Sequence, residues 1–399
     1  VLAFKETYPE FDNVDVIGAV LVSCSDGAFF YRVTELPDPK HIPDTSKQLG
    51  GTEKSNDLGL GLFVKSAEHP CGGQLISELI AKEGFTRLKD DGTLLKAKAF
   101  DKQATLRTKK GLIPDIRKLK KNTFFYNNPY REVEFYKMQW QPVIDNIISI
   151  SKKNKQKKVL EVGCGTGFLS LELARNKLNV TGIDISSSSI KIAEIYKKNN
   201  KIKKKFGKLN YKVLDATKKK LNEKFDTIVF FRSLHHFPYP KKLFKNLIAM
   251  SHKKTKLIIC EPVRSNFSKL SAHFATITRF SLETWQPHTK KIPKIINNEY
   301  LKKINKKIND EYKYLNKGKK TQSPFDNSID DPKKIINLVK NYYKIININY
   351  SDAFIDKLIG GLRGKNRFIV GKFLKKYDQY LVDNKILKGT NLFLEAKAK

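Results

Sequence analysis

The chain has little of what holds small folds together covalently or through metals. Its four cysteines, Cys24, Cys71, Cys164 and Cys260, are scattered over 399 residues. That spacing gives no disulfide framework and suits a reducing compartment, so a cytoplasmic location is expected. Glu68-His69-Pro70-Cys71 resembles half of a zinc motif, but the second cysteine of the pair is missing and no metal site is expected. Gly318-Lys319-Lys320-Thr321 lacks the upstream glycine of a phosphate loop. No apolar run approaches the roughly 20 residues of a membrane-spanning helix. There is no signal-peptide pattern, and because the sequence opens on Val1 its first segment is read as open at the start. Internal repeats are absent.

Arginine is scarce too. Lysine and arginine together number 77 against 40 aspartates and glutamates, yet only 11 are arginine. Arginine is the residue suited to bidentate reading of bases and phosphates, so the lysine excess is expected to attract anions without specific nucleic-acid binding. The charge is unevenly spread. Residues 1–100 carry 11 basic and 15 acidic side chains, and the remainder 66 and 25. The first segment therefore reads as a separate unit, a small α+β domain over 1–105 of no recognised family. It has strand-like runs at Val14 to Cys24 and Ala28 to Val33, and a helix-like run at Leu75 to Glu83.

The most informative feature present is Lys158-Val-Leu-Glu-Val-Gly-Cys-Gly-Thr-Gly167. Val159, Leu160 and Val162 suit a strand buried on both faces. Gly163, Gly165 and Gly167 permit a turn that a ligand can approach closely. An amphipathic helix from Phe168 to Asn176 should follow. Alone, such a turn fits an ordinary strand-to-helix connection or a dinucleotide site equally, although NAD sites prefer a third glycine where Phe168 stands. The downstream strand ends narrow the choice. Leu178 to Ile183 close on Asp184, placed to accept from a ribose. Ser186 to Ser189 can cap the next helix. Tyr211 to Leu214 end at Asp215-Ala216, a place for an acid facing an adenine amine. Phe225 to Phe231 lead into Arg232-Ser-Leu-His-His-Phe237, and Lys256 to Cys260 close on Glu261-Pro262.

Those four strand ends, in that order, make residues 125 to 262 resemble the class I S-adenosylmethionine-dependent methyltransferases, within the type 11 or ubiquinone-biosynthesis-like small-molecule group. The resemblance implies an α/β, Rossmann-like seven-stranded sheet with helices on both faces, beside the N-terminal α+β domain and a helical insertion. It implies S-adenosyl-L-methionine as cofactor, held by Glu161, Gly163, Cys164, Gly165, Gly167, Asp184, Ile185, Asp215, Ala216 and Phe231. In that assignment the amides around Gly163 and Gly165 border the methionine moiety, Glu161 steers its ammonium, and Asp184 accepts from the ribose. It also places His235 and His236 where methyl and acceptor meet, with His236 preferred as base; the other reading is that both histidines only pack and hydrogen-bond. Glu261, Tyr130 and Trp285 are the candidate acceptor contacts, Glu261 able to orient either the acceptor or a histidine.

Around that core, residues 106–155 are expected to form a linker and a helix over the cofactor mouth, with Tyr136 and Trp140 either lid residues or simply buried. Residues 156–262 form the cofactor-binding core. Residues 263–340 form a mainly helical insertion over the acceptor, with His288 and Ser323 to Asn327 as further lid candidates. Residues 341–399 complete the sheet and include a basic amphipathic stretch from Phe354 to Leu387, read either as a plain surface helix or as one resting on a membrane or an acidic lipid. The expected activity is methyl transfer to an oxygen or nitrogen of a sugar, quinone-like or lipid-linked small molecule. The alternatives are a nucleic-acid or protein methyltransferase and a non-catalytic cofactor-binding module. The Asn/Asp-Pro-Pro-aromatic motif of amino-directed nucleic-acid enzymes is absent. The oligomeric state and the acceptor stay open.

Overall fold

The computed structural model describes residues 18–24, 27–33, 85–88, 93–109, 114–115, 117, 129–153, 157–200, 206–237, 240–281, 296–317 and 332–399. The chain divides into two units, Val1–Leu95 and Lys96–Lys399. In the first, β1 (Gly18–Cys24), β2 (Gly27–Val33) and β3 (Phe85–Leu88) form an antiparallel sheet in the order β1-β2-β3. The helix expected at Leu75 to Glu83 lies outside the described residues.

The larger unit is built on seven strands: β4 (Lys158–Val162), β5 (Asn179–Asp184), β6 (Leu209–Val213), β7 (Phe225–Phe231), β8 (Ser251–Pro262), β9 (Tyr343–Ser351) and β10 (Asn391–Ala398). Their order is β6-β5-β4-β7-β8-β10-β9. The first five are parallel, and β10 runs antiparallel to both β8 and β9. Because the order reverses beside β4, a crevice is expected at the carboxyl ends of β4 and β7, where ligands bind in open α/β sheets.

The strands form because their side chains are buried on both faces. Val159, Leu160 and Val162 in β4, and Ile228, Val229 and Phe230 in β7, are each fully buried. At about 1.5–3 kcal/mol per large apolar side chain, these central strands dominate the stability of the sheet. One core layer gathers Leu160, Val162, Ile228 and Phe230 with α5 (Pro240–Ala249) and α8 (Pro332–Tyr342). The opposite layer gathers Val159, Val180 and Val229 with α2 (Val133–Lys152) and α3 (Phe168–Arg175). The remaining helices are α1 (Thr93–Lys109), α4 (Ser187–Asn199), α6 (Lys269–Ser281), α7 (Asn298–Lys317) and α9 (Arg367–Asp383). Arg279 of α6 pairs with Glu311 of α7, so the insertion after β8 folds on itself. Among the described residues no helix is long and apolar enough to cross a membrane.

The structure departs from the sequence reading at Asp115. The basic run around it suggests an exposed linker, but Asp115 is fully buried and accepts from Arg175 Nη2 at 2.8 Å. Arg175 also pairs with Glu172, and Arg117 reaches Glu172 at 3.2 Å. The Arg175 guanidinium holds the Asp115 carboxyl below its ordinary range against the opposing effect of burial.

Candidate active site

The glycine turn after β4 takes left-handed backbone at all three glycines, with φ of 73° at Gly163, 51° at Gly165 and 84° at Gly167. A side chain at Gly163 would strike Ser233 Cβ at 2.6 Å, and one at Gly167 would strike Tyr211 Oη at 2.4 Å. These two glycines let neighbouring loops close on the turn. Gly165 differs, since an added Cβ would meet nothing within 4 Å. Its outer face borders open space.

The turn's amides are engaged in hydrogen bonds within the protein. Gly163 N and Cys164 N both donate to Ile183 O, at 2.8 and 3.0 Å. Gly165 N donates to Asp184 Oδ2 at 2.8 Å, while Asp184 Oδ1 accepts from Ser186 N at 2.9 Å. Asp184 thus clamps two loops and keeps unused lone pairs on each oxygen. Burial pushes its carboxyl upward, and the amide bonds oppose that. Cys164 is a buried thiol. Ile185 is half-buried in the loop between Asp184 and Ser186.

Glu161 lies beneath the turn, buried and accepting from Ser170 Oγ. Burial raises its carboxyl to about 8. Burial there favours the protonated acid, and a cation arriving beside it would favour the carboxylate. Past β6, Asp215 Oδ1 accepts from Thr217 N at 2.8 Å and Thr217 Oγ1 at 2.6 Å, shaping the loop, while Ala216 belongs to the core.

At the end of β7 the two histidines separate in role. His235 Nδ1 lies 2.6 Å from Glu261 Oε2. Glu261, buried at the end of β8, also accepts from Ser233 N at 2.8 Å and Leu234 N at 2.7 Å through Oε1. One carboxylate therefore sets both the loop and the imidazole. His236 packs instead against His235, centroids 3.9 Å apart, and edge-on against Phe100 at 5.0 Å. Just before them, Arg232 adopts a left-handed φ of 58°, donates to Asn391 Oδ1 at 3.2 Å, and lies 4.7 Å over the Trp140 ring. Phe231 meets the same indole edge-on at 5.8 Å.

Tyr130 packs on Phe168, the residue opening α3 directly after the glycine turn, with centroids 5.9 Å apart; Tyr136 stacks on the same ring at 5.3 Å. Burial raises the Tyr130 phenol, partly countered by Arg232 and Arg107. Trp285, His288 and Ser323 to Asn327 lie outside the described residues.

Sequence reading missed α1. Asp101 accepts from Ser186 Oγ at 2.5 Å and Ser188 N at 2.8 Å, adding a second cap to the N-terminus of α4. Its neighbour Phe100 reaches His236. The two contacts connect the loop after β5 with the loop after β7. A sequence signal existed only in the length of α1, because Phe100 and Asp101 carry no motif.

A glycine turn on the first parallel strand, an acid at the end of the second and one antiparallel strand near the sheet edge define a Rossmann-like methyltransferase fold. In agreement, residues 153–319 match the model of the methyltransferase domain family. The chain is 34% identical over 114 residues to ubiquinone biosynthesis O-methyltransferase of Coxiella burnetii (strain Dugway 5J108-111), covering 28% of this chain and 46% of that protein. It is 27% identical over 117 residues to ubiquinone biosynthesis O-methyltransferase of Pseudomonas putida (strain W619), covering 29% of this chain and 46% of that protein. The chain thus spans about half the length of these relatives. Magnesium protoporphyrin IX methyltransferase from Synechocystis PCC 6803, solved with bound SAH, is 17% identical with a TM-score of 0.34, over 65% of this chain and 83% of that one. Among the described residues no group of histidine, cysteine and acidic side chains could hold a metal.

Proposed function

We propose that the protein transfers a methyl group from S-adenosylmethionine to an oxygen or nitrogen of a small molecule, a sugar, quinone-like or lipid-linked acceptor, with His235 as the general base. The observation carrying this reading is that the open face of Gly165, the Asp184 carboxylate and the His235–Glu261 pair stand at the carboxyl ends of adjacent strands of one sheet. The residues fit the cofactor: Gly165 leaves a cradle that any side chain would fill, and Asp184 has lone pairs for ribose hydroxyls. When bound, the cofactor supplies a methyl group made electrophilic by its sulfonium.

The chain's own work is placement and proton removal. Glu261 orients the His235 imidazole through Nδ1, and the carboxylate stabilises the imidazolium that forms as the ring takes the acceptor's proton. His236, lying against Phe100, shapes the pocket. Tyr130 and Phe231 wall the side nearest the turn. Water exclusion and alignment of the acceptor supply most of the acceleration, because the reacting carbon needs no further activation.

Incubation with methyl-labelled S-adenosylmethionine and separate pools of cell lipids, metabolites and RNA tests the reading. Label in the lipid or metabolite pool, lost in His235→Ala, is expected. Label confined to RNA would transfer the activity to the macromolecular class, and tight cofactor binding without any label would leave a binding module.

A further inference from the structure

Helix α9 presents two unlike faces. Gly371, Leu374, Asp378 and Leu381 turn inward. Outward stand Ile369, 70% exposed, Phe373, 65%, Tyr377, 39%, and Tyr380, 57%. Their spacings of four, four and three residues make one continuous stripe. The Phe373 and Tyr377 rings lie parallel, with centroids 6.2 Å apart and planes 3° from parallel. A contiguous exposed apolar patch of this kind marks an interaction surface.

The surrounding charge selects the partner. Exposed Lys372 and Lys376 run along one flank of the stripe, Lys365 precedes the helix, and Lys385 and Lys388 follow it beside Ile386, itself 50% exposed. The whole chain carries a formal charge of +37. A second copy docking on this stripe would bring lysines against lysines. An anionic bilayer instead offers negative charge to the flanks, an apolar boundary to Ile369 and Phe373, and a headgroup layer that suits the phenols of Tyr377 and Tyr380.

We propose that the outer face of α9 docks the protein on anionic membrane surfaces. The helix lies in the connection from Ser351 of β9 to Asn391 of β10, two residues that pair with each other at the same sheet edge as the glycine turn and His235. On its inner face Asp378 accepts from the amides of Ala353, Phe354 and Ile355 at 2.8, 2.8 and 3.0 Å, so the docking helix is fixed to the sheet's catalytic edge. Membrane docking stands apart from the methyl-transfer reading, since no residue of the stripe belongs to the donor or acceptor site.

Sedimentation of the full chain with phosphatidylcholine vesicles, with and without about one third phosphatidylglycerol, tests this. Binding only to the anionic vesicles is expected. Phe373→Ser combined with Tyr377→Ser should lower partitioning at least about tenfold with unchanged circular dichroism, as should Lys372→Glu with Lys376→Glu. Lys344→Glu with Lys397→Glu, the same charge change at the opposite sheet edge, should leave it within about twofold. Wild-type protein that ignores anionic vesicles would overturn the proposal. So would an aromatic variant that binds like wild type, or a control pair that loses as much as the α9 pair. Self-association of the wild type that Phe373→Ser abolishes would assign the stripe to a second copy instead.

Discussion

The two halves of the catalytic edge are held by different means. On the donor side the clamps are short-range in sequence: Gly165 to Asp184, Asp184 to Ser186, Glu161 to Ser170. Around the connection from β9 to β10 they span most of the domain. Arg131 donates from Nε to Gly360 O at 3.0 Å and from Nη2 to Leu362 O at 2.6 Å. Gln139 Nε2 reaches Asp352 Oδ2 at 3.0 Å, and Asn391 Nδ2 reaches the same oxygen at 2.9 Å, while Lys375 pairs with Oδ1. The first arrangement is a motif. The second is a tertiary network of buried charges, each satisfied by several partners, as burial demands.

The largest effect expected from breaking this comparison falls where the halves meet. His235→Ala should lower kcat by about 10²- to 10⁴-fold, and His236→Ala by less than about tenfold. Glu261→Gln should fall between them. Because Glu261 acts through His235, Glu261→Gln combined with His235→Ala should lower kcat no further than His235→Ala alone; a full additional loss would make Glu261 purely structural. Second comes the donor clamp. Asp184→Ala removes two amide bonds and the ribose acceptor, and should weaken S-adenosylmethionine binding about 100-fold in calorimetry. Retained affinity would place the ribose elsewhere.

Third is the network around the β9–β10 connection. Asp378→Asn leaves one oxygen for three amides and turns a donor toward Ala353 N, costing about 1–3 kcal/mol in urea unfolding. A neutral result would show that the 353–355 segment finds other partners. The smallest effect is electrostatic. Glu161, at about 8 in the folded protein against 4.5 ordinarily, keeps a proton that the unfolded chain releases. Its contribution is present in full below about pH 4.5 and is lost as pH rises through 8. Asp378, raised to about 7 by burial and by Asp352, slopes the same way between 3.8 and 7. Glu161→Gln should flatten the upper part of the stability–pH curve; an unchanged slope would mean the carboxyl is charged in its pocket.

The same contrast explains what the sequence reveals. The central strands of the large sheet are legible as apolar runs bounded by turn residues, whereas β6 carries Asn210 and Lys212 and β8 begins at Ser251, five residues before its apolar stretch. Asp184 and Glu261 are legible as acids closing strands. Which histidine pairs with Glu261 is not, because adjacent residues on a short 3₁₀ turn, Leu234–His236, point differently only once the loop is fixed. Asp115, Asp101 and Arg131 are invisible in sequence for a simpler reason: a buried ion pair or cap looks like any surface charge until its distant partner is placed.

The pairing of Ser351 with Asn391 has one more consequence. Gly389 packs so tightly on Ser351 that an added Cβ would lie 2.6 Å from its amide nitrogen. In topological terms β9 and β10 are therefore a hairpin, and the whole run from Asp352 to Thr390 is its loop. A loop whose ends already touch costs little more closure entropy when it is long than when it is short. The sheet's last two strands thus accept a large graft between them, and replacing that graft would exchange the exposed stripe of α9 without altering the order of a single strand.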